Sequence, residues 1–151
     1  MISRRIFLRL VSTASLIFSY CLKSAPAQTA EYEALTLSLD RLQLPWDNVI
    51  FNFGPWAVPG LAVRLPGGSI TVVNRTCPHQ KCFIDFIKDP AQVLRETTFE
   101  PPGPVLVCPC HASIFDLSDG GKVLFGPAPR PPDRFRFRIE GEKIVVTGLE
   151  G

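Results

Sequence analysis

Both histidines of the 151-residue chain and four of its five cysteines fall in two short blocks, Cys77-Pro78-His79-Gln80-Lys81-Cys82 and Cys108-Pro109-Cys110-His111-Ala112-Ser113. One residue separates Cys77 from His79 and two separate Cys108 from His111, so each block can grip a metal atom with a thiolate and an imidazole from one tight loop. Two such loops offer a Cys₂ side and a His₂ side. Iron–sulfur chemistry has a use for that split: thiolates hold one iron, and neutral imidazoles hold the other and make it easier to reduce. A structural Cys₂His₂ zinc site, stabilising a non-redox binding module, accepts the same ligand types and stays open at this point. Against it, zinc modules usually space their paired ligands more widely, and zinc leaves Cys82 and Cys110 without a task.

Loops of this kind need short strands to hold them, and the rest of the chain supplies the pattern. Pro (15 residues) and Gly (11) punctuate the sequence every few positions, as in strands joined by turns. Leu35, Leu37 and Leu39 alternate with Thr36, Ser38 and Asp40, the period of a half-buried strand. Two hairpins are expected, Leu61–Leu65 with Ser69–Asn74 around Pro66-Gly67-Gly68, and Ser113–Leu117 with Lys122–Phe125 around Asp119-Gly120-Gly121. Phe135, Phe137 and Ile139 alternate with Arg134, Arg136 and Arg138 before Gly141, and Lys143–Thr147 returns. The three arginines are most simply a solvated strand face. Only Asp89-Pro90-Ala91-Gln92 opens a helix, with an N-cap, Pro at N1 and Gln at N3, running to about Thr97. The fold class expected is all-β and antiparallel.

Residues 1–27 contain Arg4, Arg5, Arg9 and Lys23 and no acid. They read as a basic start, an apolar run from Leu10 to Leu22, and Ala25-Pro26-Ala27 in the form signal peptidase accepts. Ser3-Arg4-Arg5-Ile6-Phe7-Leu8 is similar to a twin-arginine signal, whose route carries folded, cofactor-loaded proteins. A lipoprotein reading through Cys21 fits poorly with bulky Tyr20 before it. The segment is expected to be either cleaved or kept as a membrane anchor. The apolar run is shorter than the roughly 20 residues of a full span, and counting back to Ile6 places Arg9 inside it. Residues 28–34 then form a linker and residues 35–151 one domain. Without the first 27 residues the chain has 12 bases against 14 acids. That mildly acidic body lacks the basic stripe that nucleic acid would require, so none is expected as a partner.

The two blocks resemble the cluster-binding boxes of Rieske [2Fe–2S] proteins, over a stretch from about Asn74 to Arg130. The resemblance implies one cluster per chain, with Cys77 and Cys108 on one iron and His79 and His111 on the other, and one-electron transfer as the function. It implies a three-layered antiparallel fold with the cluster at a tip formed by the two loops. The variant with an extra Cys in each box is that of cytochrome bc and bf complexes and of the arsenite oxidase small subunit, which implies a Cys82–Cys110 disulfide, a bond at home in an oxidising compartment. In the family, Gly126-Pro127-Ala128-Pro129 is the proline loop covering the cluster, and Ser113 donates a hydrogen bond to a cluster sulfur.

Several residues depart from that pattern. Gln80 and Lys81 stand where the quinol-oxidising complexes usually have Leu and Gly, Ala112 stands for Gly, and Phe115 replaces a Tyr whose hydroxyl bonds a cysteine sulfur. The insert from Phe83 to Val107 is long for the family. The expectation is an exported electron-transfer subunit on the periplasmic or thylakoid-lumen side, most like the iron–sulfur subunit of a bc/bf-type complex. Its partners would be redox proteins, a cytochrome or small metalloprotein, and quinol. The alternatives are a small subunit of an arsenite oxidase-like molybdenum enzyme and a stand-alone carrier.

Overall fold

The computed structural model describes residues 32–150, so the export signal or anchor expected over 1–27 and the first part of the linker lie outside the described residues. Among the described residues ten strands make three antiparallel sheets. The first combines β1 (Leu35–Ser38), β10 (Lys143–Leu149) and β9 (Phe135–Glu140); the second, β2 (Asn48–Phe53), β3 (Val58–Arg64) and β4 (Ile70–Asn74). The third runs in the order β5 (Asp85–Ile87), β6 (Val105–Cys108), β7 (Ser113–Asp116) and β8 (Lys122–Phe125). One α-helix, α1 (Pro90–Thr97), lies between β5 and β6. Among the described residues no helix is long and apolar enough to cross a membrane.

The second sheet is the middle layer, which explains why β3 and β4 read as near-continuous apolar runs. Alternate residues face opposite neighbours. Ala62 and Val72 join Val49, Phe51 and Phe53 of β2 in a core shared with Phe135, Ile144 and Val146 of the first sheet. Leu61, Val63 and Val73 face the other way, into a core with Leu106, Phe115, Leu117 and the site cysteines Cys77 and Cys108. The outer side of the third sheet packs Ile87, Val105, Val107 and Ile114 on Val93 of α1. At Gly60 the absence of a side chain is required, because a Cβ there would stand 2.2 Å from the Phe51 ring directly across the register.

Both expected hairpins form, with Gly68 at φ 82° in the first turn and a 3-10 turn, Leu117–Asp119, opening the second. Arg134, Arg136 and Arg138 are exposed, as a solvated face requires. The helix begins as expected, with the Asp89 carboxylate accepting from the Ala91 N–H at 3.0 Å. Gln92, however, does not reach back to the cap. Its amide donates instead to Glu96 at 3.0 Å, one turn along the helix. Three strands have no counterpart in the sequence reading: β2, β5 and β6.

Candidate metal centre

Three connections converge on one end of the third sheet. The first block lies between β4 and β5. Its loop is closed by the Cys77 N–H donating to the Cys82 carbonyl at 2.8 Å and the Lys81 N–H donating to the Cys77 carbonyl at 2.9 Å. Arg75, just before it, fixes the far side: its Nε donates to the Ile84 carbonyl at 2.9 Å and its guanidinium pairs with Asp85 at 2.8 Å. Asn74, buried at the end of β4, accepts the Thr76 N–H on its side-chain oxygen at 2.9 Å.

The second block is the turn of the β6–β7 hairpin. Cys108 and Ser113 are register partners, which leaves Pro109–Ala112 as a four-residue connection. Both loops close through a left-handed residue at the same place, four after the opening cysteine: Lys81 at φ 61° and Ala112 at φ 53°. A disulfide joins Cys82 to Cys110 and ties the loops to each other.

Cys77 and Cys108 are free and buried. Burial pushes the Cys108 thiol up from its ordinary value, and contact with Cys77 adds to that; the N–H groups of Cys110 and His111, aimed at the same sulfur, act the other way. Two adjacent buried thiols with N–H donors on one sulfur are well placed to ligate a cation. The imidazoles of His79 and His111 stand edge to face with centroids 4.9 Å apart. Nδ1 of His79 is buried without a hydrogen-bond partner. A buried polar nitrogen left unpaired is costly, and a metal bond removes that cost. His111 is exposed, so the thiol side faces the core and the imidazole side faces solvent. The sulfurs of Cys82, Cys108 and Cys110 also lie within 4.8 Å of one another, but two of them are bonded together, so this trio is the bridge resting on Cys108.

The third connection, between β8 and β9, is the Gly126-Pro127-Ala128-Pro129 loop. It is held on Ser113 at two points. A Cβ on Gly126, at φ 88°, would meet the Ser113 Cα at 2.6 Å and the Ala112 carbonyl oxygen at 2.7 Å, so only glycine allows that approach. The Ala128 N–H donates to the buried Ser113 hydroxyl at 3.1 Å, leaving the hydroxyl proton to be donated elsewhere. Beyond the loop an Arg130–Asp133 ion pair follows, and the Asp133 carbonyl accepts from the Asn74 N–H at 2.8 Å.

A profile of the Rieske [2Fe-2S] domain matches residues 45–147. The chain belongs to this family. The donor set fits the family's group: two buried thiols, two imidazoles and an orphaned ring nitrogen. The domain is therefore one that carries a [2Fe–2S] cluster.

A similar curated relative is the cytochrome b6-f complex iron-sulfur subunit of Chlorobaculum thiosulfatiphilum. It is 28% identical over 81 residues, covering 54% of this chain and 36% of the relative. An iodate reductase subunit of Denitromonas iodatirespirans is 25% identical over 105 residues, 70% of this chain and 50% of the relative. The chain thus matches only part of the length of these relatives. Among solved structures, the soluble domain of Rieske protein II from Sulfolobus acidocaldarius superposes with a TM-score of 0.58 at 21% identity, covering 83% of this chain and 82% of that one. That likeness shows the Rieske fold.

Phe115 is fully buried in the core that contains Cys77 and Cys108. Gln80 and Lys81 are exposed, and Lys81 makes no ion pair among the described residues. The roles of Arg75 and Asn74 in bracing the first loop escape the sequence reading, since each depends on a partner brought in by β5 or by the fold of the loop itself.

Proposed function

We propose that Cys77 and Cys108 hold one iron and His79 and His111 the other, and that the protein is the electron-transfer subunit of a quinol-oxidising bc/bf-type complex. When bound, the cluster takes up and returns one electron at a time. The chain's residues do the rest. Buried Cys77 and Cys108 would hold one iron away from water, and exposed His111 would offer a partner access to the other. The Ser113 hydroxyl would donate to a cluster sulfur, the disulfide holds the two loops together, and the proline loop would shield the cluster. The observation that carries the reading is the pairing of two buried thiols with two imidazoles in bridged loops.

In this reading residues 1–27 are a twin-arginine export signal or a retained anchor, 28–34 a linker and 35–151 the Rieske domain, exported to the periplasmic or lumenal side. Its partners are redox proteins, and quinol where the complex is of the bc/bf kind. A second reading, a small subunit of a molybdenum enzyme of the arsenite oxidase kind, draws support from the polar Gln80 and Lys81 in place of an apolar docking surface and from the likeness to an iodate reductase subunit. Purification of the tagged chain from native membranes separates the two. A co-purifying b-type cytochrome is expected, whereas a large molybdenum subunit would replace the first reading with the second.

A further inference from the structure

Phe99 lies in the insert between the two cysteine blocks, and its ring stacks on Phe125, the residue just before the proline loop. Helix α1 is fixed by Val93, buried under the third sheet. At its end Thr98 turns left-handed at φ 63°, with its N–H donating to the Leu94 carbonyl at 3.1 Å. The Thr97 hydroxyl donates to the Val93 carbonyl at 2.7 Å and accepts the Phe99 N–H at 3.3 Å. Phe99 so delivered stacks on Phe125, centroids 5.4 Å apart and planes 25° from parallel. Phe125 is the residue before Gly126, and its strand partner is Ile114. The β7–β8 ladder shifts register between Ile114 and Phe115, so Leu124 is passed over and Ile114–Phe125 stands as a last pair beyond the irregularity, just before the loop departs. The aromatic stack adds a second hold on Phe125 beside that last pair.

We propose that Phe99 is a positioning residue for the proline loop: by clamping Phe125 it keeps Gly126 seated on the Ala112–Ser113 backbone and the Ala128 N–H on the Ser113 hydroxyl. A hydroxyl that accepts a hydrogen bond donates a stronger one. The insert therefore sets the redox potential through Ser113 without touching the cluster, an inference that rests on the role given to Ser113 above.

The test compares the full chain with its Phe99→Ala, Phe99→Leu and Phe99→Tyr variants by hydrogen exchange of the Phe125–Arg130 segment and by the midpoint potential, with iron content as control. Phe99→Ala is expected to exchange about three- to tenfold faster in this segment and to have a lower potential at equal iron content. Phe99→Tyr, which keeps the stack, should restore both. Phe99→Leu, which keeps bulk without the stack, should resemble Phe99→Ala and stands in for it if the alanine variant does not fold. Unchanged exchange in a folded, stack-free variant would overturn the clamp. Faster exchange with an unchanged potential would uphold the clamp and overturn the role of Ser113.

Discussion

Lys81 and Ala112 occupy equivalent places in their loops, and both carry a side chain where the backbone is left-handed. Such a conformation costs a side-chain-bearing residue roughly 1–2 kcal/mol, while glycine loses about 0.5–1 kcal/mol more than alanine in chain entropy on folding. The balance predicts that Lys81→Gly and Ala112→Gly each stabilise the protein by about 0.5–1 kcal/mol, measured by denaturant unfolding with the disulfide intact; destabilisation by either would show that the side chain is needed there. Gly126 is the opposite case. Gly126→Ala adds strain of roughly 1–2 kcal/mol to a backbone clash that typically costs 1–3 kcal/mol, about 2–5 kcal/mol together. Loss of less than about 1 kcal/mol would mean that the loop moves freely. Phe115→Tyr should raise the midpoint potential, because a hydroxyl donating to a ligand sulfur favours the reduced, more negative cluster. An unchanged or lowered potential in voltammetry would refute that sign.

At the scale of elements, the two Cys/His blocks that the fold brings together were legible because cysteine and histidine are rare and their spacing is local, and the hairpins because turn glycines and alternation mark them. β2 was not, since outward-facing Ile50 breaks an otherwise clear alternation of Val49, Phe51 and Phe53 with Asn48 and Asn52. β6 is a short, fully buried run whose type periodicity alone does not decide, and β5 has three residues whose pairing is set by β6. The left-handed loop residues and the Phe99–Phe125 stack were hidden for a different reason: each is a consequence of tertiary approach, not of local sequence. Helix α1 carries a prediction at this scale. Asp89→Ala removes the side-chain acceptor for the Ala91 N–H and should destabilise the helix by about 1 kcal/mol. Hydrogen exchange in Ala91–Arg95 reads it, and unaltered protection there would show that packing of Val93 alone holds the helix.

For the whole molecule, the three layers leave one end where two hairpin-like loops meet under a third, and the Cys82–Cys110 bridge is the covalent tie between them. Its sequence separation of 28 corresponds to about 3–4 kcal/mol on the chain-entropy account. Cys82→Ser combined with Cys110→Ser should therefore lower stability by that order and hasten cluster loss on heating, whereas an unchanged midpoint of unfolding would show that the layers alone define the tip. The central claim, that these loops hold a [2Fe–2S] cluster with a thiolate side and an imidazole side, is tested most directly by metal and sulfide analysis joined to EPR of the dithionite-reduced, natively expressed protein. The account predicts about two irons and two acid-labile sulfides per chain, with a Rieske signal that is lost in His79→Cys and His111→Ala. Stoichiometric zinc with no reduced-state signal would contradict it.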